Sequence, residues 1–136
     1  MRATIKNYLE AMKQRREEEG EKGFSLIELI IVVVILGILV AIAVPIFVDI
    51  QGKAADNAVK AAAGNGATAA AAQFADGGTA AEAQAAAQSA GDSDITVDFS
   101  STGTNDSVTT VCVIAYSSNG SQYKDAASGY ESGPGC

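Results

Sequence analysis

From Leu29 to Val48 the chain runs through twenty residues without a charge. Coiled as an α-helix, that run is roughly 30 Å long, the thickness of a bilayer's hydrocarbon core. It reads as a transmembrane helix over about residues 26–48. Glu28 stands at its edge, where ionisable side chains are scarce and usually have a task. On insertion scales an acid at mid-helix costs about 2.5–3.5 kcal/mol, and less near an interface. Ser25-x-x-Glu28 also has the spacing of a capping box, with Ser25 as N-cap and Glu28 at the third helical position.

The residues that join this helix to what precedes it are Lys22-Gly23-Phe24-Ser25-Leu26-Ile27-Glu28. The junction resembles that of the type IV pilin family, whose hallmark is Gly-Phe-Ser/Thr-Leu-Ile-Glu before an apolar helix. The resemblance implies that a membrane prepilin peptidase cuts between Gly23 and Phe24 on the cytoplasmic side and that Phe24 is then N-methylated. It also implies that Glu28 neutralises the Phe24 ammonium of a neighbouring subunit. The bare residues support a plainer role for Glu28, the capping box alone. Pairing explains better why an acid is kept in apolar surroundings, since both charges would otherwise be buried unpaired.

Charge divides the chain. Residues 1–23 hold six Lys/Arg and five Glu, and 24–136 hold three lysines against eleven acids, a net charge of −8. Basic residues before the span and acids after it orient the N-terminus inside by the positive-inside bias. So acidic an outer part disfavours nucleic-acid binding. The chain contains no His, which removes the usual general base and the commonest metal ligand, and no catalytic constellation stands out. An enzyme is not expected, nor a cofactor. Within the leader, Ile5, Tyr8, Leu9 and Met12 fall at helical spacing before the mixed-charge run Arg15–Glu19. Two readings follow, a short amphipathic helix or a solvated leader discarded on processing.

Gly37 and Pro45 both weaken the apolar helix, the proline by roughly 3 kcal/mol in a helix interior. An ordinary membrane-helix kink accounts for them. The pilin resemblance implies instead that the stretch between them unwinds when subunits pack. A rival processing site, Ala41-Ile42-Ala43, would release a domain starting at Val44, as an ordinary secretory signal does. The length of the leader, Glu28 within the apolar region and the run on to Val48 oppose it.

Past Asp49 the composition stays helical, with Asp56 and Lys60 at ion-pair spacing. Gly64-Asn65-Gly66 offers an end, but the preferred reading is one helix from Phe24 to about residue 75, stopped by Asp76-Gly77-Gly78, with Val59 and Phe74 facing a small head. Thr79-Ala80-Ala81-Glu82 is a second capping box, opening either a short helix to Ala90 or a flexible linker. Ile95, Val97 and Phe99 alternate as a strand. Val108–Tyr116 reads as a long central strand, and Asn119-Gly120 as a hairpin turn into a third strand over Ser121–Asp125. Residues 126–136 read as loop. A head of about 60 residues buries too little to be robust without a staple. Cys112 and Cys136 in an exported domain suggest one disulfide, against the alternatives of free thiols or an interchain bond. Asp92, Asp94 and Asp98 lack the EF-hand spacing, and solvated turn acids explain them better than a calcium site. Tyr116, Tyr123 and Tyr130 are either surface contacts or small-core aromatics.

The expected fold is α+β, a long N-terminal helix against a small antiparallel sheet. Its parts are a leader 1–23, a helix 24–75 and a head 76–136. The resemblance implies a self-assembling pilus subunit, membrane-bound as a precursor and extracellular after assembly. Its implied partners are copies of itself, the prepilin peptidase and methyltransferase, and an assembly ATPase with its membrane platform. A pseudopilin of type II secretion or competence is the nearest alternative. A membrane-tethered or secreted binding module that never polymerises is the alternative from another class.

Overall fold

A computed structural model describes the backbone of residues 2–21 and 25–136, and the side chains of 3–15 and 25–136. The chain divides into two compact units, Met1–Pro45 and Ile46–Cys136. Helix α1 is Arg2–Glu21, and α2 is Leu26–Ala75 with Pro45 inside it. Then follow α3, Ala80–Gln88, and strands β1, Thr96–Phe99, β2, Val113–Tyr116, and β3, Tyr130–Ser132. The fold is α+β, with the sheet antiparallel throughout in the order β1-β2-β3.

In the Ile46–Cys136 unit, α2 buries Asp56, Val59, Ala62, Ala63, Gly66, Ala67 and Ala70. These recur at three- and four-residue intervals, so they line one face of the helix. The sheet answers with Val97, Val113 and Ala115, which alternate along β1 and β2, while α3 contributes Ala83 and Ala87. Phe74 closes one end of this core by stacking on Phe99, ring centroids 6.5 Å apart. Val59 and Phe74 thus contact the head as expected.

Gly66 does not end the helix. A Cβ there would lie 2.8 Å from Val97 Cγ1 and 3.2 Å from both Val113 Cγ1 and the Ala87 carbonyl. A glycine inside a helix costs about 1 kcal/mol relative to alanine; here it lets the sheet approach the helix backbone. The helix stops at the expected place. Gly77 adopts φ +83°, its N–H donates to the Phe74 carbonyl, and Gly78 N–H donates to that of Gln73. That is a Schellman closure, with glycine in the left-handed position. Thr79 then starts α3 with both halves of the capping box formed.

Two strand expectations need correction. The long strand over Val108–Tyr116 is only Val113–Tyr116. Asn105, at φ 54°, donates to the carbonyls of Ser100 and Gly103 and accepts from Cys112 N–H. Ser107 and Thr110 close a turn just before that point. Side-chain bonds thus take backbone groups a longer ladder would need. The third strand is not Ser121–Asp125 but Tyr130–Ser132, in the stretch read as loop. The Asn119-Gly120 turn forms, with Gly120 N–H donating to Ser117 O. The residues after it, however, turn their N–H groups to a carboxylate on α2.

Replacing Gly66 with Ala should overfill the helix–sheet contact and cost about 1–3 kcal/mol despite the better helix propensity. Chemical denaturation of the Ile46–Cys136 unit measures this, and a stabilised variant would show that the contact has slack.

Candidate functional site

The apolar half of α2 is bare. Every residue from Leu26 to Ile50 is exposed, and the most apolar window of the helix has none of its residues buried. β-Branched and leucine side chains cover the helix on all sides rather than in a stripe, as in a helix meant for lipid or for like neighbours. The helix starts at Ser25, whose Oγ accepts the Glu28 N–H at 3.3 Å. Glu28 is exposed, and among the described residues its carboxylate has no ion-pair partner. The helix is continuous through Gly37 and Pro45, and a Cβ on Gly37 would meet nothing within 4 Å. Ala41 and Ala43 lie inside the same helix.

In the Ile46–Cys136 unit the polar groups build a scaffold. Asp56, buried on the inner face of α2, accepts the N–H groups of Ser121 and Gln122 at 3.0 Å and of Tyr123 at 3.4 Å, with the Ser121 hydroxyl as a further donor. The Ser121 hydroxyl, helped by these backbone donors, holds the Asp56 carboxyl below the usual range. Gly120 is needed beside it, since a Cβ there would sit 2.7 Å from Asp56 Oδ1. The expected Asp56–Lys60 pair is therefore replaced. Lys60 instead lies over the rings of Tyr123 and Tyr130, 5.7 and 5.8 Å from their centroids. The i,i+4 ion pair that does form lies two turns earlier, Asp49–Lys53 at 2.9 Å.

Tyr123 and Tyr130 meet edge to face, 5.4 Å between centroids, and pack against the core, while Tyr116 is half-buried on β2. Glu131 accepts from the hydroxyls of Ser100 and Thr102, which hold its carboxyl low, and this ties β3 to the loop after β1. Asp92 accepts the N–H groups of Asp94 and Ile95, and Asp98 those of Gln84 Nε2 and its neighbour Phe99. These acids bind the chain's own donors, and among the described residues they do not converge into a metal-ligand group. Cys112 and Cys136 form a disulfide, pinning the C-terminal tail beside the start of β2, where Gly135 N–H also donates to Val111 O.

Two comparisons bear on this arrangement. Residues 20–44 match the family model of the prokaryotic N-terminal methylation motif. The type IV narrow pilus major component PilA5 of Thermus thermophilus is 73% identical over 33 residues. The chain carries the N-terminal methylation motif. The match covers 24% of this chain and 28% of that relative's length, so the likeness is one of the N-terminal segment. No solved structure matches the chain.

The N-terminal methylation motif thus falls on the start of the bare helix. The junction itself, Gly23 and Phe24, lies outside the described residues. The sequence points to Asp56 only as a partner for Lys60 and not to Glu131 at all, although Asp56 stands three residues before Val59 and seven before Ala63, on the buried face. That periodicity was the available signal.

Reducing the Cys112–Cys136 bond, which spans 24 residues, should lower stability by about 3 kcal/mol, read from melts with and without reductant. Unchanged melts would show that the tail is held by other contacts. Asp56, Glu82, Asp106, Asp125 and Glu131 all have carboxyls lowered by hydrogen bonds. Groups that bind protons less readily when folded add stability above the ordinary carboxylate range, about pH 4, and lose it as pH falls further. The Ile46–Cys136 unit should therefore melt at a steady temperature from pH 7 to about pH 5 and at a sharply lower one near pH 3. Asp56→Asn should melt lower at pH 7 and lose less on acidification.

Proposed function

We propose that this chain is the precursor of the structural subunit of a type IV pilus. The observation that carries the reading is the apolar, wholly exposed helix that begins within the N-terminal methylation motif. The relative's description as a major pilus component supports a major rather than an accessory subunit. Before assembly the Leu26–Val48 stretch spans the membrane with the leader on the cytoplasmic side. A prepilin peptidase cuts between Gly23 and Phe24, and the new amino group is methylated. In the filament the apolar helices exchange lipid for one another, and Glu28 pairs with the Phe24 ammonium of a neighbour.

Two charges leaving water together cost less than either alone, and a misplaced neighbour leaves both unpaired. The pair therefore fixes axial register more than it adds stability. Pro45 has no N–H to give to the preceding turn and Gly37 lowers helix propensity, and the stretch between them loosens when subunits pack. An assembly ATPase with its membrane platform supplies the work of extraction from the bilayer. The Ile46–Cys136 unit, stapled by its disulfide, faces outward. Its role is structural, with no catalytic chemistry assigned.

The test is the N-terminal residue and intact mass of protein sheared from the cell surface. N-methylated Phe24, with the mass of a chain carrying one internal disulfide, is the expected result. A Val44 start would mean ordinary secretion and would end the filament reading. A Phe24 start confined to the cell envelope, without surface filaments, would assign the chain to the pseudopilins of a secretion or competence system.

A further inference from the structure

Helix α1 presents a surface for which the pilus reading has no use. Ile5, Tyr8, Leu9 and Met12 recur at helical spacing and are 61, 68, 55 and 42% exposed. They form one stripe over the first turns of the helix. Lys6 and Lys13 lie three residues before and four after Leu9, on one flank of the stripe. Arg15 lies three residues after Met12 and seven after Tyr8, on the other flank. Asn7, Glu10 and Gln14 occupy the opposite face. Cations on both borders of an apolar stripe, with the polar residues opposite, is the arrangement of a helix lying in a bilayer interface. There the apolar side chains enter the acyl boundary and the long cations reach back to the headgroups.

The sequence places that interface within reach. Residues 22–25 separate α1 from α2, so the end of α1 lies no more than roughly 18 Å from Leu26 even with that link fully extended. Four large apolar side chains are too few to hold a free helix firmly on lipid. A tether this short turns a weak surface contact into an intramolecular one at an effective concentration in the millimolar range. The charge balance sets the kind of surface. From Ala3 to Arg15 the helix carries Lys6, Lys13 and Arg15 against Glu10 alone, which suits anionic lipid. The glutamates at 17, 18, 19 and 21 come after the stripe, so the contact is confined to the first four turns.

We infer that α1 docks its Ile5–Tyr8–Leu9–Met12 face on the anionic lipid surface next to the membrane span, as long as the leader is joined to the rest of the chain. This rests on the membrane-inserted precursor proposed above. Docking holds the leader flat and confines the Gly23–Phe24 bond to the depth of the headgroups. Cutting that bond removes the tether, so the released leader leaves the membrane.

The experiment uses the full-length precursor in vesicles of phosphatidylethanolamine with phosphatidylglycerol. The chain has no tryptophan, so Tyr8→Trp gives a single reporter. Its emission should shift to the blue, and lipids brominated along the acyl chain should quench most of it. Each lysine near an anionic surface is worth roughly fivefold in binding, so adding Lys6→Glu and Lys13→Glu should abolish most of the quenching, and Leu9→Glu should do the same. Water-like emission from a precursor that resists alkaline extraction would overturn the docked helix and leave the membrane span standing. A precursor released by alkali would overturn both. Quenching that survives the lysine changes would overturn the anionic-lipid assignment. A blue shift seen only in native membranes and not in vesicles would mean a protein occupies the stripe, which also overturns it.

Discussion

Helix α2 must satisfy two surroundings with one backbone, and the rest of the structure follows from that. From Leu26 to Ile50 it is apolar on every side and uncovered; from Asp56 to Phe74 it is apolar on one face and packed under a sheet. The first half has no stable place in water, since burying such side chains stabilises by about 1.5–3 kcal/mol each. That burial must come from outside the chain, and in the function proposed above lipid and then other copies of the same helix supply it. The second half needs only a small domain to cover one stripe, and its alanines and Gly66 let that domain sit close.

Closeness is what a small core can use. With alanine the commonest buried residue, the Ile46–Cys136 unit gains little per side chain and compensates with contacts of other kinds. Asp56 gathers three backbone N–H groups and a hydroxyl from the segment after Gly120, so that a loop without strand partners is held to the helix. Glu131 ties β3 to the Ser100–Thr102 turn by accepting the hydroxyls of Ser100 and Thr102. The disulfide closes the C-terminal tail against β2. Asp56 thereby satisfies backbone N–H groups that a larger domain would place in sheet ladders, while Glu131 and the disulfide tie down segments that the short strands leave unpaired.

The helical parts of this arrangement were legible because their signals are local. The uncharged run, the caps at Ser25 and Thr79 and the Gly77-Gly78 stop all act within a turn or two of chain, and each stands where its residues place it. The sheet was less legible because its limits are set from a distance. Val108–Thr110 has strand composition, yet Asn105 and Thr110 bind it into a turn. Ser121–Asp125 follows a good hairpin signal, yet its N–H groups go to a carboxylate some sixty-five residues earlier in the chain. Tyr130–Ser132 is too short, and too polar at Glu131, to announce itself. Glu28, Gly37 and Pro45, which the sequence singles out, lie on an uncovered stretch of helix, and the assembly role proposed for them needs a neighbour that a single chain does not supply.

The central claim is that the bare half of α2 is covered by other copies of this chain. A reconstruction by electron cryomicroscopy of filaments sheared from the producing cells tests it most directly. The account predicts a central bundle of apolar helices, with residues from Phe24 to about Val48 excluded from solvent, Glu28 within ion-pair distance of a neighbour's amino terminus, and the Ile46–Cys136 units on the outside. Filaments whose core is built from another chain, or a Phe24–Val48 helix left facing water in the filament, would contradict it.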